Sequence, residues 1–180
     1  MKKTILLFLI ASIFYNDADC QITKDNWMVG GNANISLQQE KLNQSNITGF
    51  TIKAAPDIGY FIVDKFAVGV KTNLSYNYVK FNGPGNKNTL LGFGPLLRYY
   101  FLSTENRINI FAESAYQYST DFHGHSRNDF SFSAGPVIYF NTSVGLEFTF
   151  NYDTFKGTIS GSANTLSFGI GFQIHLEKDK

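Results

Sequence analysis

A chain of 180 residues is long enough for one domain, and its formal net charge of +1 excludes the strongly basic surface that nucleic-acid binding requires. Aromatic residues make up 16% of the chain, and only 4 Pro occur beside 16 Gly. This composition is typical of β-structure with glycine at points of curvature. After the first residues there is no run of about 20 apolar residues, which excludes a helical membrane protein.

The first 20 residues have the three parts of a secretory signal peptide. Lys2 and Lys3 provide a positive start, residues 5–15 form a short apolar run, and small residues precede a cleavage site after Cys20. Residues 1–20 are therefore predicted to be the signal peptide, and residues 21–180 the mature domain. An uncleaved anchor helix is disfavoured because the apolar run is too short to span a bilayer.

Cys20 has an alternative role as the acylated first residue of a mature lipoprotein. The residues before it are Asp17, Ala18 and Asp19, which do not match the leucine and small residues of a lipoprotein signal. Cleavage after Cys20 leaves a mature chain without cysteine, and that excludes disulfides and thiol chemistry.

Apolar and polar residues alternate in eight segments after the signal peptide. In the last segment every second position is large and apolar: Leu166, Phe168, Ile170, Phe172, Ile174 and Leu176. The positions between them are small or polar: Ser167, Gly169, Gly171, Gln173 and His175. Successive side chains of a strand point to opposite faces, so each segment has one apolar wall. The pattern predicts an all-β fold, an eight-stranded antiparallel up-and-down transmembrane β-barrel.

The predicted connections alternate in length along the chain. Longer polar stretches follow strands 1, 3, 5 and 7, at residues 38–47, 82–88, 119–127 and 154–164. Tight connections follow strands 2, 4 and 6, at residues 63–65, 103–106 and 141–142. Long connections on one rim and short ones on the other are typical of outer-membrane barrels. The tight turns and the N-terminus are therefore predicted to face the periplasm, and four long loops the outside.

The polar wall carries charges that need partners if it faces inward. Eight strands leave an interior just wide enough for side chains, so the bulky apolar wall is expected outside. Charges buried inside are tolerated only when they pair. We therefore predict a charge network that plugs the lumen: Lys53, Asp57, Lys71, Arg98, Glu113 and Glu147. The alternative, a soluble β-sandwich with its charges in water, does not explain the alternating connections.

Three predicted strands share a local pattern that begins with proline, at residues 56–61, 95–101 and 136–140. The first reads Pro-Asp-Ile-Gly-Tyr-Phe and precedes a turn containing Asp64 and Lys65. In these motifs the chain resembles the small outer-membrane β-barrel families related to OmpX and OmpA, and most of all a porin-like barrel domain. The resemblance covers the whole mature chain and implies a barrel rather than an activity. We interpret the prolines as bulges, because proline removes a donor from the strand ladder.

One predicted loop carries the candidates for external contacts: Asp121, His123, His125 and Arg127. Two histidines without further ligands at matching spacing do not make a metal site, so neither a metal nor a cofactor is predicted. Ser126 beside His125 raises the alternative of a lipid-modifying enzyme, an acyltransferase or a deacylase. Adjacent strand residues point to opposite faces, which places this pair poorly for catalysis unless the loop turns it.

The predicted function is therefore that of a non-enzymatic barrel in the cell outer membrane with a plugged polar lumen. Its role is structural, or lies in binding and adhesion to an extracellular partner through the loops. The alternatives are the lipid-modifying enzyme and a small pore. The expected surroundings are the lipid bilayer and lipopolysaccharide, and the expected state is a monomer without nucleic acid.

Overall fold

The computed structural model describes residues 22–42, 45–81, 84–157 and 161–177, so the predicted signal peptide and Cys20 lie outside it. Eight strands follow one another along the chain: β1 (Trp27–Leu42), β2 (Ser45–Val63), β3 (Phe66–Phe81), β4 (Asn86–Tyr100), β5 (Ile108–Asp121), β6 (Ser126–Tyr139), β7 (Val144–Gly157) and β8 (Gly161–Leu176). Each pairs antiparallel with the next, and β8 closes on β1. The predicted eight-stranded all-β barrel is confirmed. Within the described ranges, no helix is long and apolar enough to cross a membrane.

The alternating sequence becomes the two walls of the barrel. In β8, Phe172 and Ile174 are 56% and 41% exposed, whereas Gln173 and His175 between them are fully buried. The same alternation of exposed and buried positions follows β4 and β5. The large apolar side chains therefore face outward and the polar ones face the lumen, as the size of an eight-stranded interior requires.

One end of the barrel carries the tight connections and is called here the tight-turn end. Asp64 and Lys65 alone join β2 to β3, and Lys65 adopts the left-handed conformation with φ 67°. Short segments join β4 to β5 and β6 to β7 at the same end. The N-terminal residues 22–26 also lie there, because the backbone N–H of Lys65 donates to the carbonyl of Ile22 at 2.8 Å.

At the opposite end, called the hairpin end, the strands run far into the stretches predicted as loops. The β1–β2 ladder continues to Leu42 and Ser45, and the β7–β8 ladder to Gly157 and Gly161. The predicted bounds of the four long loops were therefore wrong. Where a strand carries polar residues on both of its faces, its sequence no longer alternates, but its backbone still pairs with the neighbouring strand. Strands of 14–19 residues exceed the roughly 9–11 that cross a bilayer, so the surplus forms protruding hairpins.

The three strand prolines do not form bulges, which corrects the interpretation from sequence. Pro56, Pro95 and Pro136 each pair in register with one neighbouring strand. The ladder on their other side omits the proline without changing register. A missing N–H removes a bond toward one neighbour only, and here that loss leaves the alignment intact. The register shift recorded in the β2–β3 ladder lies between Phe61 and Val63, beside the tight turn.

Candidate functional site in the barrel lumen

The lumen at the tight-turn end is filled by a fully packed apolar cluster, called here the floor: Ile22, Met28, Phe61, Ala67, Leu96, Tyr100, Phe111, Ala115, Val137 and Tyr139. Every member is at most 2% exposed. The Tyr100 ring lies 6.0 Å from that of Phe61 and 6.2 Å from that of Phe111. The rings of the floor are therefore packed against one another inside the barrel, as in a protein core.

The segment before β1 closes the floor from below. Ile22 is fully buried, although it precedes the first strand. The segment is held by the Asp25 N–H donating to the Phe61 carbonyl at 2.9 Å, and by the Lys24 N–H donating to Asp64 Oδ1 at 2.8 Å. Sequence reasoning missed this cap, because one apolar residue outside an alternating pattern predicts no contact.

Above the floor lies a charge layer, defined by Asp57, Lys71, Arg98, Glu113 and Glu147. Arg98 is its centre: Nε and Nη2 lie 2.8 and 2.6 Å from Glu113 Oε2, and Nη1 lies 2.7 Å from Glu147 Oε1. Lys71 pairs with the other oxygen of Glu113. All five side chains are buried, and the bonds among Lys71, Arg98, Glu113 and Glu147 replace hydration that burial removed. Asp57 Oδ2 lies farther away, 4.0 Å from Arg98 Nη2.

Uncharged groups complete the coordination of Arg98. Gln173 accepts from Arg98 Nη1 at 3.1 Å and donates to Asp57 Oδ1, also at 3.1 Å. The Tyr100 hydroxyl accepts from the same Nη1 at 3.2 Å, and the guanidinium carbon lies 4.5 Å above the Phe111 ring. These three residues were absent from the predicted network, because a search for charges passes over them. Their inward strand positions were the sequence signal that could have identified them.

Lys53, the sixth predicted member, lies elsewhere. Its Nζ pairs with Asp153 Oδ1 at 2.9 Å, and both side chains remain about a fifth exposed. Lys53 precedes Asp57 by four residues, which displaces it by roughly 13 Å along the strand toward the hairpin end. The structure therefore brings five of the six predicted charges together and gives the sixth a partner that the prediction did not include.

The hairpin end of the lumen is a polar cavity of about 260 Å³, called here the vestibule. Its charged side chains form two ion pairs, Lys53 with Asp153 and Arg127 with Asp129 at 2.8 Å. The Arg127 guanidinium also lies 4.5 Å from the Phe155 ring. Between the vestibule and the charge layer the space shrinks to about 10 Å³, room for a single water. The vestibule therefore narrows toward the charge layer.

The turn between β5 and β6 is organised by one carboxylate. Asp121 accepts the backbone N–H groups of His123 and His125, each at 2.9 Å, and its Oδ2 lies 3.0 Å from His125 Nδ1. Burial raises the pKa of Asp121, but hydrogen bonds from His125 and His123 outweigh it and hold the pKa below its ordinary value. The described residues contain no group of three or more His, Cys, Asp or Glu placed to hold a metal. Arg127, predicted with this loop, instead lines the vestibule.

The outer wall carries an apolar band whose lower edge is aromatic. Trp27 packs edge-on against Tyr60 at 5.1 Å near the tight-turn end, and Tyr99 packs against Phe101 at the same distance. Higher on the wall Phe93 is 66% exposed and Phe168 is 68% exposed. An outward apolar band edged by aromatic rings, around a filled polar interior, defines the fold of a small transmembrane barrel of the outer-membrane type.

Solved structures of such barrels share this fold. The outer membrane protein OprG from Pseudomonas aeruginosa is 15% identical, matches 90% of this chain and 100% of its own, and superposes with a TM-score of 0.60. Neisserial surface protein A is 11% identical, with 83% and 96% coverage and a TM-score of 0.54. At these identities the likeness shows the fold alone. No family model and no curated relative matches the chain.

Proposed function

We propose that this chain is a non-enzymatic, non-conducting barrel of the cell outer membrane, with a structural or partner-binding role at the cell surface. The observation that supports the proposal is the set of buried side chains, the floor and the charge layer, that occupy the interior below the vestibule. A barrel closed in this way offers its outer wall to lipid and its hairpins to partners.

The outer wall supports the membrane location. A water-soluble monomer rarely exposes a contiguous apolar patch of more than a few hundred Å². Here large apolar side chains are exposed on all eight strands, among them Ile35, Phe132 and Phe150. Contact with the bilayer and with lipopolysaccharide removes this surface from water, so a monomer needs no second subunit to cover it. The tight-turn end then faces the periplasm and the hairpins face outward.

The charge layer supports the absence of conductance. An ion on the barrel axis would have to separate Arg98 from Glu113 and Glu147 and then pass the packed rings of the floor. Separating a buried pair leaves uncompensated charge, at a cost of about 3–5 kcal/mol. The resting barrel is therefore closed, and the pore alternative requires a large rearrangement.

The hairpins support the surface role. Strands that continue beyond the bilayer present paired backbones rather than loose loops, and the Asp121 turn holds His123 and His125 in a stacked pair with ring centroids 6.2 Å apart. A preorganised surface loses less conformational entropy on binding. Replacing residues 123–125 by Gly-Ser-Gly should reduce adhesion of expressing cells, while folding stays unchanged.

Fractionation and conductance test the proposal together. The protein should sediment with outer membranes and should migrate differently in detergent gels before and after boiling, because the closed ladder resists detergent until heated. In planar bilayers it should give no steady current, and incubation with phospholipid or lipopolysaccharide should release no fatty acid. Recovery from the soluble periplasm, reproducible channels, or acyl release would each overturn the corresponding part.

A further inference from the structure

The β1–β8 ladder ends before the other ladders do. It runs from Trp27 and Leu176 to Ala33 and Ile170 and then stops. Beyond that point β1 stays paired with β2 to Leu42, and β8 stays paired with β7 from Gly161. The two strands thus present edges to each other across a gap, called here the seam, which runs from Ala33 toward the hairpin end.

The seam begins inside the apolar band. On its two sides Ile35, Leu37, Leu166 and Phe168 are 68–83% exposed, whereas Trp27 and Ile174 beside the paired part of the ladder are 45% and 41% exposed. Backbone N–H and C=O groups without a partner are unfavourable in hydrocarbon, which offers no hydrogen bonds. An edge at this depth therefore favours a polar group that can enter the gap and bond to it.

A groove of about 610 Å³ lies on the barrel wall at the seam. Its outer lining is apolar and includes Ile35, Phe150 and Phe168, whereas Asn34, Thr149 and Gly169 belong to the inward face. Asn34 lines this groove and the vestibule alike, and its Nδ2 donates to Ser167 Oγ at 3.4 Å across the gap. Asn34 therefore stands between the groove and the vestibule, held by one long hydrogen bond.

We propose that the seam is a lateral binding site for a single-chain amphiphile with an uncharged or zwitterionic head. The acyl chain lies in the apolar groove, and the head reaches the vestibule past Asn34. The vestibule is too small for more than a head group, and its two cations and two anions pair with each other, which favours a head without net charge. This inference rests on the proposed membrane location, since the chain reaches the groove from the bilayer.

Photolabelling locates the ligand. The protein in phosphatidylcholine vesicles is exposed to lysophosphatidylcholine that carries a photoreactive group either at the end of the acyl chain or in the head. The chain probe should label peptides containing Ile35 and Phe168 about tenfold more than those containing Leu97 and Ile110 on the opposite wall, a preference of about 1.4 kcal/mol. The head probe should label the peptide containing Lys53.

A disulfide across the seam tests the route. In a Cys20→Ser background, Ile35→Cys with Phe168→Cys joins residues that would be partners if the ladder continued two pairs beyond Ala33 and Ile170. The matched control, Val29→Cys with Ile174→Cys, joins an existing pair. Linking the cysteines at positions 35 and 168, by oxidation or by a short bismaleimide, should abolish head-probe labelling of the vestibule. The protein linked at positions 29 and 174 should keep that labelling. Heat-dependent migration in detergent gels shows whether both variants are folded.

The results of these experiments distinguish a failure of the proposed seam site from a failure of the proposed membrane location. Even labelling around the barrel would show annular lipid only and would overturn the seam, while leaving the membrane location intact. An absence of labelling everywhere would contradict the membrane location itself. Vestibule labelling that survives the crosslink between positions 35 and 168 would overturn the lateral route. Crosslinks between two copies of the protein through position 35 would also overturn it, because the seam would then be an interface between copies.

Discussion

At the tight-turn end the lumen holds Phe61, Tyr100 and Phe111 at ring distances near 6 Å, whereas at the hairpin end it contains a polar cavity of about 260 Å³. The strand residues of the floor come from β1 to β6, and the vestibule is lined by β1 to β3 and β6 to β8. The first region is packed with buried rings, and the second is a polar cavity. Buried packing is therefore concentrated near one rim of the barrel.

The ion pairs of the two regions differ in the same way. Arg98 is 1% exposed and binds two carboxylates directly, but the Lys53–Asp153 pair in the vestibule is about a fifth exposed. Water can replace a lost partner in the vestibule and cannot do so in the charge layer. An ion pair in the charge layer should therefore contribute more to the free energy of unfolding than an ion pair in the vestibule.

Removing the central cation should give the largest effect. Arg98→Leu leaves Glu113 and Glu147 buried, with Lys71 as the remaining cation of the charge layer. We expect the free energy of unfolding to fall by about 3–5 kcal/mol, toward the upper end of that range. Urea unfolding in lipid vesicles measures it. The matched Lys53→Leu should cost about 1 kcal/mol or less. Equal losses would show that the two levels are equally hydrated.

Truncation of a floor residue should come next. Phe61→Ala removes a fully buried ring and should cost about 3–5 kcal/mol, because the surrounding strands collapse only partly into the cavity. Its neighbour Ile62 is 42% exposed on the lipid side, so Ile62→Ala should cost distinctly less in the same unfolding assay. The reverse order would mean that the two walls are exchanged.

A charge on the outer wall should have a somewhat smaller effect. Phe93 is 66% exposed at the middle of β4, and Phe93→Arg should cost about 2–4 kcal/mol for placing a charge in hydrocarbon. Phe93→Leu is the control and should be nearly silent in vesicle unfolding, since lipid imposes no fixed packing. Tolerance of arginine at this position would contradict a lipid-facing wall.

The smallest effect concerns the β5–β6 turn. The lowered pKa of Asp121 means that its stabilising contribution is complete above the ordinary value of 3.8 and is lost as the pH falls through the lowered value. Amide hydrogen exchange of His123 and His125 should therefore accelerate below that range. Asp121→Asn should accelerate it at neutral pH as well, without changing global unfolding. Exchange that is independent of pH in this range, after correction for intrinsic rates, would exclude the carboxylate as the organiser of the turn.

Much of the barrel was predictable from sequence because its signal is local. Alternation with a period of two assigned Phe172 outward and Gln173 inward without knowledge of any neighbour. The same reasoning failed at the hairpin end, where polarity on both faces concealed the continuing strands. It also failed at Pro56, Pro95 and Pro136, where a missing donor changed one ladder bond but not the register.

The sequence by itself determined the number of strands, the face that each side chain occupies, and the presence of opposite charges inside. Only the tertiary structure decided the height at which each inward residue lies against its neighbours. That height depends on the stagger between strands, which no single strand encodes. It joined Arg98 to Glu113 and Glu147, paired Lys53 with Asp153, placed Ile22 in the floor, and ended the β1–β8 ladder at Ala33 and Ile170.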